Sequence, residues 1–102
     1  MSLSKQFLKT KPRCRVRFRL PAEAVSGVQH VTVVGDFNGW DETSTPMKRL
    51  KDGSFSVEVG LETGRQYQFR YLADGSRWLN DDAADAYVWC EFARAENSVV
   101  EL

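Results

Sequence analysis

The sequence predicts an all-β antiparallel sandwich, and three observations carry that expectation. Residues 13–20 alternate strictly between arginine and apolar side chains, the period of a half-buried strand. The same two-residue period returns at Phe55, Val57, Val59 and Leu61, and again at Tyr67, Phe69 and Tyr71. Turn signals such as Asp52-Gly53, Gly64 and Asp74-Gly75 separate these short runs, and no stretch shows a helical period.

The elements follow in order. Residues 1–11 read as a loosely ordered N-terminal arm, and residues 12–102 as a single domain. The first strand spans Arg13 to Leu20 and is ended by Pro21. Val31-Thr32-Val33-Val34 makes a second strand that stops at Gly35, and residues 36–46 form an irregular loop carrying Trp40. Met47 to Leu50 is a short strand before Asp52-Gly53, a pair that favours tight hairpins. The alternating runs around Val57 and Phe69 supply two longer strands. Arg77 to Leu79 is a short strand, Asn80 to Asp85 an acidic loop, and Asn97 to Leu102 the closing strand.

Composition removes several function classes. With 102 residues and 42% hydrophobic content the chain is a globular domain rather than a disordered segment. No apolar run approaches the roughly 20 residues needed to cross a bilayer, so no membrane association is expected. The N-terminus lacks the apolar stretch of a signal peptide, and cytoplasmic residence is the expectation. Cys14 and Cys90 read as structural thiols, His30 is the single histidine, and neither a metal nor a cofactor is expected. The zero net charge conceals an asymmetry. Lys5, Lys9, Lys11, Arg13, Arg15, Arg17 and Arg19 all precede the first acid, Glu23. Arginines on the solvent face of one strand guard an edge against unwanted pairing, whereas a docking face for nucleic acid is the less favoured reading.

Two stretches concentrate the remaining information. Gly35-Asp36-Phe37-Asn38-Gly39-Trp40 and Tyr67 to Trp78 each run from a strand into a turn, with a tryptophan just beyond among polar neighbours. An indole in that setting is free to offer its electron-rich face to the axial C–H groups of a pyranose, as a protein needs in order to hold a sugar chain. The motifs extend further in one register: Gly35 to Asp41, Pro46-Met47, Asp52 to Phe55, Gly64 to Tyr71, Asp74-Gly75 and Trp78. This linked set resembles carbohydrate-binding module family 48, which includes the isoamylase N-terminal (early set) domain and the glycogen-binding domain of the AMP-activated protein kinase beta subunit.

The resemblance implies an immunoglobulin-like sandwich that binds an α-1,4-glucan such as glycogen or a maltooligosaccharide. It implies stacking of glucose units on Trp40 and Trp78, with Arg70 and Asn97 hydrogen bonding sugar hydroxyls. The alternation of the strand sets Arg70 opposite Tyr67, Phe69 and Tyr71 and so toward solvent. The structural alternatives are a core or loop-plugging place for either tryptophan, an ion pair for Arg70, and backbone satisfaction for Asn97. A rival role is a protein-interaction module that docks on a glycogen-metabolising enzyme with little sugar affinity of its own. Residues 87–95 depart from the family pattern. They are expected to form a loop in which alanines replace the sugar-assisting leucine and threonine, and Trp89 offers a third platform or a protein contact. No catalytic role is expected: Asp81, Asp82 and Asp85 have no nucleophile or base beside them and read as solvated turn carboxylates.

Overall fold

Alternation becomes two sheets in the computed structural model, which describes residues 3–102. The strands are β1 (Leu3–Phe7), β2 (Arg13–Leu20), β3 (Val31–Gly35), β4 (Lys48–Arg49), β5 (Phe55–Glu62), β6 (Gln66–Ala73), β7 (Arg77–Leu79), β8 (Ala86–Cys90) and β9 (Ala95–Glu101). One sheet runs β1-β2-β5-β4 and the other β3-β6-β9-β8, with β7 also paired to β6. All these pairings are antiparallel. Two antiparallel sheets face to face make the expected immunoglobulin-like sandwich. A Cα radius of gyration of 13.2 Å fits one compact domain, for which about 13 Å is usual at 100 residues.

The apolar phase of each strand turns inward. Val16 and Phe18 of β2, Val33 of β3, Phe69 and Tyr71 of β6 and Val100 of β9 are buried in one core. Its centre is an aromatic net, with Phe69 edge-on to Phe18 at 4.9 Å and to Tyr71 at 5.6 Å. The arginines of β2 take the outer phase, where Arg17 meets Glu58 at 3.4 Å and Arg19 meets Asp52 at 3.2 Å.

Three expectations meet a different outcome. Met1 and Ser2 of the expected arm lie outside the described residues, but Leu3–Phe7 pairs along β2 from Phe18 to Cys14. Ser4, Lys5 and Gln6 show no apolar period. The backbone groups of β2's edge recruit this strand, and a 2.6 Å ion pair from Lys5 to Asp85 tethers it to the other sheet. The segment expected as a loop over residues 87–95 is instead β8 followed by a turn at residues 91–94. Tyr87, Val88 and Trp89 favour extended backbone, and β9 offers them a ladder. Finally, Asp81 is not a solvated carboxylate. It is 1% exposed and accepts a 2.7 Å hydrogen bond from the Tyr71 hydroxyl, because a phenol inside the core needs an acceptor.

Candidate functional site

The site is assembled on the outer face of the second sheet. Because Tyr67, Phe69 and Tyr71 face the core, Gln68, Arg70 and Leu72 of β6 face outward. Leu72 pairs with Trp78 of β7 across a tight hairpin. That hairpin turns through Asp74 (φ 51°) and Gly75 (φ 71°), the paired positive dihedrals that an Asp-Gly turn supplies. The Asp74 carboxylate accepts the backbone N–H groups of Gln29 and His30 and ties the hairpin to the start of β3.

The other wall comes from the Gly35–Trp40 segment. A Cβ on Gly35 would stand 2.5 Å from the Gln68 carbonyl oxygen and 2.8 Å from the Phe69 Cβ, so only glycine lets the chain leave β3 this close to β6. Phe37 turns inward to stack on Phe18 at 5.4 Å. Asn38 clamps the turn by accepting from the Gly35 N–H and donating to the Val33 carbonyl and the Thr45 hydroxyl. With its side chain so occupied, Asn38 is turn chemistry. Trp40 follows in the left-handed region at φ 59°, half-buried. Beyond it, the backbone N–H and then the hydroxyl of Thr43 hold the Asp41 carboxyl below its ordinary 3.8.

Together these elements enclose a cleft of about 660 Å³. All four residues singled out from the sequence, Trp40, Arg70, Trp78 and Asn97, line it. The two tryptophans therefore lie on one side of the molecule, Trp40 half-buried and Trp78 37% exposed. The Arg70 guanidinium carbon stands 5.1 Å from the centre of the Trp78 ring, a cation–π contact over one face of the indole. Among the described residues, no ion pair joins Arg70 to an acid. Asn97 is 4% exposed and its amide nitrogen donates to Gln68 Oε1 at 3.0 Å rather than to a backbone carbonyl. Among the described residues, Arg70 Nε and Asn97 Oδ1 are buried without a hydrogen-bond partner. One is a donor and the other an acceptor, and each costs stability while unmet.

Sequence reasoning missed part of the lining. Asp36, Glu42, Gln68, Cys90, Phe92 and Ala93 complete it. Gln68 was open to discovery, being two residues before Arg70 in the same strand phase. Phe92 was not, since only the turn after β8 sets it at the cleft rim, 100% exposed. Trp89 pairs with Glu96, one residue out of phase with the Val88–Asn97 pair, so it faces away from the cleft. Its indole donates to Glu91 instead. Among the described residues there is no cluster of three or more His, Cys, Asp or Glu able to hold a metal. Nor, among them, is any helix long and apolar enough to cross a membrane. Cys14 and Cys90 are both free thiols.

Sequence comparisons agree with this architecture. The chain is 39% identical over 75 residues to the 1,4-alpha-glucan branching enzyme GlgB of Aquifex aeolicus, covering 70% of this chain and 11% of that protein. It is 42% identical over 67 residues to GlgB of Photobacterium profundum, covering 65% of this chain and 9% of that protein. For GlgB of Butyrivibrio fibrisolvens the figures are 45% over 51 residues, 48% of this chain and 8% of that protein. The chain thus spans about a tenth of the length of these curated relatives. The model of carbohydrate-binding module 48, the isoamylase N-terminal domain, matches residues 11–94, and the chain belongs to that family.

Proposed function

We propose that the chain is a non-catalytic α-glucan-binding module, with glycogen or maltooligosaccharides as its ligands. The observation that carries this is the meeting of two indoles with the polar side chains of Arg70 and Asn97 in one cleft. Indole faces match the apolar C–H faces of successive glucoses, while the Arg70 guanidinium and the Asn97 amide match the donor–acceptor character of sugar hydroxyls. The names of the relatives, 1,4-alpha-glucan branching enzymes, point to the same polymer. Each stacked ring contributes about 1 kcal/mol beyond burial, which places a single cleft in the roughly micromolar to millimolar range. A polymer presenting many chain ends strengthens retention by multivalency. Cytoplasmic residence, beside an intracellular glucan store, belongs to the same proposal.

The three tryptophans make the test internally controlled. In an NMR titration with maltoheptaose, the indole N–H signals of Trp40 and Trp78 should move while that of Trp89 stays in place. Trp40→Ala and Trp78→Ala should each weaken binding about tenfold, the equivalent of about 1.4 kcal/mol. The absence of any shift at millimolar oligosaccharide would overturn the proposal.

A second reading rests on a separate observation. Tyr87, Val88 and Trp89 are exposed along the outer edge of β8 and carry no charge. An unprotected, uncharged edge strand invites another chain, which suits a module docked on a glycogen-metabolising enzyme. Glucan-insensitive tryptophans together with capture of a branching enzyme would favour this second role.

A further inference from the structure

We propose that Asp36 is a positioning residue of the cleft, acting on the sugar through Trp40; this rests on the glucan-binding role given above. Both of its carboxylate oxygens are engaged. Oδ1 accepts from the Trp40 indole Nε1 at 2.9 Å, and Oδ2 accepts from the Gln68 backbone N–H at 2.7 Å. One carboxylate therefore ties the loop that carries Trp40 to the strand that carries Gln68 and Arg70. The tie continues across the cleft, since Gln68 Oε1 accepts from the Asn97 amide. Trp40, Asp36, Gln68 and Asn97 form a chain of contacts spanning the sugar-facing wall.

Two features make this chain more than a structural staple. Trp40 sits at φ 59°, a backbone region that bulky residues seldom adopt. The indole has one polar atom, and Asp36 holds it against the sheet, so what remains for a ligand is ring surface rather than an N–H. A platform fixed before the ligand arrives loses less rotamer freedom on binding. The carboxylate suits this task better than its neutral isostere. The two N–H donors meet different oxygens of Asp36, and an asparagine in the same place would turn its NH₂ toward one of them.

The test is a double-mutant cycle with maltoheptaose affinity as its readout, using Asp36→Ala, Trp40→Phe and the double variant, with melting curves and the Trp40 indole N–H resonance recorded alongside. Trp40→Phe keeps an aromatic plane but removes the N–H. Asp36→Ala in the parent chain should weaken binding about five- to tenfold, the scale of one net hydrogen bond. In the Trp40→Phe background the same change should cost less than about twofold. Asp36→Asn serves the same cycle if the alanine variant does not fold, with an intermediate loss and a shifted indole resonance expected. An equal loss in both backgrounds would overturn the inference, because Asp36 would then act on the sugar or on the fold directly. Unchanged affinity in Asp36→Ala, with binding still lost in Trp40→Ala, would also overturn it and leave the glucan role standing. Parent-like binding in Trp40→Ala would defeat the glucan role itself.

Discussion

The two faces of β6, one residue out of phase with each other, are built to opposite rules. On the inner face Tyr67, Phe69 and Tyr71 join the core, and each phenol has an acceptor: Tyr67 donates to the Glu62 carbonyl and Tyr71 to the buried Asp81 carboxylate. On the outer face Gln68 and Arg70 share a wall with Trp40, Trp78 and Asn97, and two buried polar atoms remain unmet. The inner face has completed its chemistry on folding. The outer face leaves a donor and an acceptor that no described residue meets, and each costs stability. A single strand thus separates the core from the proposed binding face by the direction of its side chains.

The sharpest way to break this division is to cut each face separately. Phe69→Ala removes the centre of the aromatic net and should cost about 3–5 kcal/mol in urea unfolding. Trp78→Ala should cost less, about 1–2 kcal/mol, since that residue keeps 37% of its surface exposed. Comparable stability losses at both positions would erase the distinction.

Tyr71→Phe tests the inner face more gently. It leaves the Asp81 carboxylate short of one hydrogen bond and should cost about 1–3 kcal/mol with glucan affinity unchanged. Burial, and next the nearby charge of Asp81, raise the Tyr71 hydroxyl well above its ordinary 10.0. The folded protein therefore holds this proton where the unfolded chain has released it. Stability is fully present below pH 10 and falls as pH rises through the folded-state value. Alkaline unfolding monitored by circular dichroism should lose this part of its pH dependence in Tyr71→Phe.

The smallest expected stability change lies on the outer face. Asn97→Leu removes the unmet Oδ1 along with the bond to Gln68. Stability should move by no more than about 1 kcal/mol in either direction. Affinity for maltoheptaose should nonetheless fall, measured by calorimetry. Retained affinity would show that the Asn97 amide does not serve the ligand.

Much of this arrangement was legible in the chain. Strict alternation over Arg13–Leu20 located β2, and the out-of-phase position of Arg70 announced the outer face. Both tryptophans were found because each follows a turn whose glycine and aspartate leave a local signature. Other features left no such mark. β1 contains Ser4, Lys5 and Gln6, whose pairing depends on the free edge of β2 rather than on any pattern of their own. The burial of Asp81 depends on Tyr71, ten positions earlier, having its hydroxyl inside the core. The β8 segment had a strand composition, but the family resemblance favoured a loop there.

By itself the sequence determined which residues face in and which face out, because a two-residue period and a turn signal are properties of neighbours along the chain. Tertiary structure alone decided who meets whom. It joined Asp36 to Trp40 and Gln68, left Arg70 Nε and Asn97 Oδ1 unmet in one cleft, and turned Trp89 away from it. Those outcomes follow from strand register and loop closure between segments far apart in the chain, where no local pattern carries the information.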